Sequence, residues 1–168
     1  MTDKGYDTET EEFAMVLILS LSSFYKLPKK ESPDGACIMS DIILSERFRD
    51  NPALKGREDK FMTCDVKVAA VLASWQESLF AHEWLTPAGV IKSPKDMTEE
   101  IRNKRIAIEQ IINSTAALDR PVLGIGIMDN IEMGSGKDVF LTLAARGASF
   151  ISVHIPKSHE QEFRMFIR

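Results

Sequence analysis

A chain of 168 residues with 44% apolar side chains can form one domain around one sizeable core, which excludes the disordered class. Its formal charge of −4 excludes a surface given over wholly to nucleic acid, because such proteins carry a basic excess or a basic stripe. Cys37 and Cys64 form no CxxC pair, and His82, His154 and His159 do not pair at metal-ligand spacing. Neither a disulfide framework nor a zinc site is therefore expected, and the cysteines read as small buried hydrophobes in a reduced compartment.

In chain order, Thr8 to Glu12 supply a threonine and several acids ahead of the apolar run Phe13–Phe24, a good electrostatic start for a helix. That run is too short to span a bilayer, and the acidic first dozen residues do not form a secretory signal, so the expected location is cytoplasmic. Lys26-Leu27-Pro28 ends the helix and residues 28–35 form a loop carrying Lys29-Lys30. A short helix is predicted from Ser40 to Phe48, stopped by Asp50-Asn51-Pro52. The recurrence of Val68, Val71, Leu72, Trp75 and Leu79 predicts a helix over Cys64–His82.

Thr86-Pro87 is a break, and Val90-Ile91 is a brief strand or a turn. Thr98-Glu99-Glu100 caps a further helix with Ile101, Ile108, Ile111 and Ile112 on one face and Arg102, Lys104, Arg105 and Glu109 on the other. Asp119-Arg120-Pro121 closes it. The apolar run Val122–Met128 then predicts a buried strand, whose Gly124 and Gly126 leave one face bare for a close neighbour, a ligand or a packed helix. After the loop Gly134-Ser135-Gly136 come a short helix, the stop Gly147, the strand around Ile151-Val153-Ile155 and, from Pro156, a helix to the last residue. On strand periodicity His154 is either solvent-facing or a satisfied residue at the core edge. The fold class expected is α+β in a single domain, 1–168, with 1–118 mainly helical and 119–168 an α/β unit holding the glycine loop.

That loop carries the candidate chemistry. A glycine loop running into a helix leaves backbone N–H groups unpaired at the positive end of the helix dipole, and such a place binds phosphate. It is not a Walker A motif, since the required Gly and Ser/Thr positions hold Ile131 and Asp138, and Gly124 and Gly126 do not make a dinucleotide-binding fingerprint. The expected binding set is Gly134, Ser135, Gly136, Lys137 and Asp138, with amides from Ser135 to Asp138 as donors and Lys137 as the counter-charge. Asp129 and Glu132 lie just before the loop. With Lys137 they form the candidate catalytic set, as magnesium ligands or a base in phosphotransfer or phosphodiester cleavage. The alternative is structural: Asp129-Asn130 as turn chemistry, and Asp138 as a complement to the helix dipole.

The order of apolar strand, glycine with a basic residue, a helix ending Ala144-Ala145-x-Gly147 and a strand carrying Ile151, Val153 and Ile155 resembles the phosphate-binding core of the ParB/sulfiredoxin fold, with Lys137 in the loop. The Cys-His-Arg triplet of sulfiredoxins is absent, which argues against a sulfinic-acid reductase. The arginine-rich box of ParB proteins is reduced to Lys137, which argues against a CTP-driven clamp. A helical front joined to such a unit in an acidic chain of this size is similar to the oncogenic-suppression (Osa) family of plasmid fertility-inhibition proteins. That resemblance implies a protein that blocks conjugative DNA transfer through a type IV secretion system. It implies ATPase and DNase activity with ATP and magnesium at the loop, and DNA and the coupling protein as partners; peripheral attachment at the inner membrane is left open beside the cytoplasmic expectation. Two alternatives stay open: a non-enzymatic protein-binding regulator on the same scaffold, and a small phosphate-metabolite hydrolase.

Overall fold

Ile151, Val153 and Ile155 alternate with Ser152 and His154 between a glycine turn and a proline, the pattern of a strand, and all five are buried. The computed structural model, which describes residues 47–168, places them in a strand from Phe150 to Pro156. Among the described residues ten strands and α-helices follow one another, with short 3-10 turns between some of them: strands β1 (Phe48–Arg49) and β2 (Phe61–Lys67), helices α1 (Val68–Trp75) and α2 (Glu99–Asn113), strands β3 (Leu118–Asp119), β4 (Leu123–Ile125) and β5 (Ile131–Met133), helix α3 (Lys137–Ala145), strand β6 (Phe150–Pro156) and helix α4 (Glu160–Phe163). Helices and small sheets are mixed along the chain, an α+β arrangement. The predicted Phe13–Phe24 helix, the 28–35 loop with Lys29-Lys30, and Cys37 lie outside the described residues. Among those described, no helix is long and apolar enough to cross a membrane.

The central pairing is β2 with β6, antiparallel from Phe61 opposite Pro156 to Lys67 opposite Phe150. The sequence predicts a helix from Cys64 to His82, and here the structure differs. Met62, Cys64 and Val66 point inward while Thr63, Asp65 and Lys67 are exposed, a period of two that continues upstream of the helical pattern. Seven residues of ladder with β6 hold that segment extended, and α1 begins only at Val68. It ends at Trp75 because Glu77 and Ser78 turn back onto the carbonyls of Ser74 and Trp75, leaving Leu79 exposed on a loop.

On the far side of β6, the His154 N–H donates to Pro121 O at 2.8 Å and Val122 forms a parallel bridge with His154, attaching the β4–β5 hairpin. The predicted buried strand over Val122–Met128 is cut short at Ile125. Gly126 N donates to Asn130 O at 2.8 Å, Asp129 adopts φ 56°, and Ile127 and Met128 sit exposed at the tip. Among the described residues no helix packs against either glycine. A Cβ on Gly126 would meet the hairpin's own Glu132 and Asn130 side chains, and one on Gly124 would meet open space.

The C-terminal helix also stops early. After Phe163, Lys67 N donates to Phe166 O at 2.7 Å and Ile167 bridges Val66, because the free edge of β2 offers ladder partners that a helix would waste. β1 pairs in parallel with β3, so Phe48, predicted as the end of a helix, is extended. α2 starts as expected, Thr98 Oγ1 accepting from Ile101 N, but ends at Asn113 rather than running to Asp119. There Arg47 donates to the carbonyls of Ile111, Ile112 and Ala116.

Among the described helices α3 is the most enclosed by the core, with every residue from Val139 to Leu143 buried, the apolar ones in a cluster that includes Trp75, Leu123, Ile151, Val153 and Ile155. Truncating Phe140 to Ala is expected to cost about 3–5 kcal/mol in urea denaturation, whereas Ile127→Ser changes stability by no more than about 0.5 kcal/mol. A large loss at Ile127 would contradict the hairpin turn described above.

Candidate functional site

The segment between β5 and α3 is folded by its own backbone and by one buried side chain. Gly134 N donates to Val122 O at 2.9 Å, Val122 N returns to Ser135 O at 2.8 Å, and Lys137 N reaches Gly134 O at 3.3 Å. Gly136 carries φ 81°, and a Cβ there would lie 2.9 Å from the Pro121 backbone, so both conformation and space require glycine. Asn51, 3% exposed, clamps the loop: its Oδ1 accepts from Ser135 Oγ and Ala53 N, both at 3.0 Å, and its Nδ2 donates to Arg120 O at 2.9 Å.

Helix α3 then begins with its dipole directed at the loop. Of the four amides expected to be free, that of Lys137 is used by the loop itself. Those of Ser135, Gly136, Asp138 and also Val139 have no acceptor among the described residues. Lys137 and Asp138 line a cleft of about 560 Å³ shared with Phe80, Glu83, Thr98 and Lys104. Lys137 Nζ donates to Glu83 Oε2 at 3.1 Å and stands 5.9 Å over the Phe80 ring. Opposite, Lys104 pairs with Glu100 at 2.6 Å, which holds the Glu100 carboxyl below its usual range and the Lys104 ammonium above its own. The wall therefore carries two lysines against the carboxylates of Glu83, Glu100 and Asp138.

Of the expected binding set only Lys137 and Asp138 line this cleft; Gly134, Ser135 and Gly136 do not, and the two candidate carboxylates before the loop also stand apart from it. Glu132 accepts from Ser78 Oγ at 2.8 Å and from Asn130 Nδ2 at 3.0 Å, one bond on each oxygen, and so fastens the hairpin to the loop after α1. Asp129 is exposed at the hairpin tip. Neither lines the cleft, and among the described residues no group of three or more His, Cys, Asp or Glu side chains is placed to hold a metal ion. Asn51, Glu83 and Ser78 were not singled out by the sequence. Only Asn51 left a local signal there, as a cap residue ahead of a proline.

His154 proves to be a core-edge residue. Its Nδ1 lies 3.3 Å from Thr63 Oγ1, and its Nε2 lies 3.4 Å from Asp50 Oδ1 and 3.5 Å from Arg120 Nη1. Burial, then the Arg120 charge, hold its pKa below the ordinary histidine value against the opposing pull of Asp50. Burial, assisted by Asp65, pushes the Cys64 thiol up to about 11, so it is protonated and unreactive at neutral pH.

Two outcomes are expected. Gly136→Ala should lose about 2 kcal/mol or more, from left-handed strain and the contact with Pro121, read as a lowered urea midpoint. Because His154 binds its proton less readily in the folded chain than in the unfolded one, stability is complete above roughly pH 6.5 and falls as pH drops through that value towards the lowered one. His154→Gln should flatten that slope in urea titrations, and an unchanged slope would exclude His154 as its source. In comparisons with known proteins, no family model, no curated protein and no solved structure matches this chain.

Proposed function

We propose that the cleft in front of α3 binds a phosphate-bearing ligand, a nucleotide with its magnesium ion, and that the chain uses it as a regulator of the fertility-inhibition type. The observation that carries this is the N-terminus of α3: among the described residues the amides of Ser135, Gly136, Asp138 and Val139 have no acceptor, the loop is fixed by Gly136 and Asn51, and Lys137 and Asp138 line the adjoining cleft. A rigid loop loses little entropy on binding, so its donors are available to an anion at small cost.

The charges on the wall decide the form of the ligand. A bare phosphate would meet three carboxylates and two lysines already engaged with acids. Magnesium, when bound with the nucleotide, supplies the charge that offsets this repulsion. Lys137 would exchange Glu83 for a phosphate oxygen, and Thr98 offers a hydroxyl across the cleft. Binding rather than turnover is favoured, because Glu132 is committed to Ser78 and Asn130.

The resemblance to the Osa family gives this binding its context: a protein that holds back DNA transfer through a type IV secretion system, with the coupling protein and the transferred DNA as partners. In support, Lys137 opens the helix, Gly147 with φ 88° ends it, and Ile151, Val153 and Ile155 form the strand that follows.

Thermal melting with ATP and magnesium tests the proposal. Ligand at about a hundred times its dissociation constant adds roughly 2.7 kcal/mol to the folded state. The midpoint should rise in wild type, rise much less when magnesium is chelated, and stay unmoved in Lys137→Ala. An equal rise in Lys137→Ala, or no rise in wild type at millimolar nucleotide, would overturn it.

A further inference from the structure

Hairpin tips are normally built of Gly, Asn, Asp and Ser, yet the β4–β5 tip presents Ile127 at 102% and Met128 at 80% exposure. The loop after α1 presents Leu79 at 85% and Phe80 at 58%. These loops are not independent, for Ser78 Oγ donates to Glu132 Oε2 at 2.8 Å and Ile131 N donates to Ser74 Oγ at 2.9 Å. One half-buried carboxylate and two serines thus hold four large apolar side chains outward in a fixed arrangement, on a chain that could have buried or omitted them.

Within the two loops themselves the charge is one-sided, the nearby Lys92 lying in the pocket beside Gln76 and Ser78. Residues 76–80 and 126–130 contain no Lys or Arg, and the exposed carboxylates of Glu77 and Asp129 have no ion-pair partner among the described residues. The neighbouring Lys137 is neutralised by Glu83.

We infer that these two loops form a docking surface for a protein segment that presents apolar side chains beside Lys or Arg. The apolar tips supply the contact area and the two acids select the flanking charge. The same acids repel an anionic lipid surface and a second copy of the same loops. Phe80 also lines the cleft, but Glu77, Leu79, Ile127, Met128 and Asp129 do not, so the inference stands on those residues whether or not the cleft takes a nucleotide.

The probe is a synthetic amphipathic Leu/Lys peptide, with a Leu/Glu peptide of the same apolar pattern as its control. Binding to the full chain is read by fluorescence anisotropy. The Leu/Lys peptide should bind and the Leu/Glu peptide should not. Ile127→Ser with Met128→Ser, which leaves the charge unchanged, should weaken binding by roughly tenfold or more, as should Glu77→Gln with Asp129→Asn. The melting temperature of each variant should match wild type. Equal binding of both peptides, or Leu/Lys binding unaffected by Ile127→Ser with Met128→Ser, overturns the inference. It is overturned equally by sedimentation with phosphatidylserine-containing vesicles, or by self-association, that is lost in that apolar variant.

Discussion

Burying five consecutive residues of one strand, Ile151 to Ile155, is the constraint from which the described structure follows. A strand covered on both faces must have its backbone paired on both edges. β2 satisfies one edge along seven residues, and Pro121 and Val122 begin to satisfy the other. The apolar side chains of β6 draw α3 onto them as the core. Ser152 and His154 bring polar atoms into the interior, and for His154 these are met by Thr63, Arg120 and Asp50.

The glycine loop inherits its rigidity from that arrangement. Pro121, held by the β6 backbone, is the surface against which Gly136 packs, and the carbonyl of Arg120 beside it anchors Asn51, which in turn anchors Ser135. The start of α3 is therefore fixed before any ligand arrives. The side chains over it are not committed in the same way, because the Lys137–Glu83 pair is only partly buried and a competing anion can replace one partner without disturbing the core. Rigid donors with an exchangeable cation suit reversible binding.

What was legible in the sequence was local. The order of loop, α3, Gly147 and β6 could be read because each boundary is written in one or two residues: Gly136 and Gly147 take positive φ, and Pro156 closes the strand. The Thr98 cap of α2 could be read for the same reason. The extended state of Phe61–Lys67 was hidden, since the stronger period of Val68, Val71 and Trp75 follows directly and the deciding ladder lies about ninety residues away in sequence. Glu132 beside a glycine loop suggested a metal ligand or base. Its two bonds to Ser78 and Asn130 depend on a turn after α1 that sequence periodicity had extended as helix. At Ile127 and Met128 composition signals burial, while the turn that exposes them is set by Asn130 and Asp129.

The account turns on whether the amides at the start of α3, which have no acceptor among the described residues, receive a ligand. An amide-resolved NMR titration of the full chain with ATP and magnesium measures this directly. Saturable shifts centred on Ser135, Gly136, Asp138 and Val139, with small changes along β2 and β6, are the result the account predicts. Shifts confined to other surfaces, or an unchanged spectrum at saturating nucleotide, would contradict it.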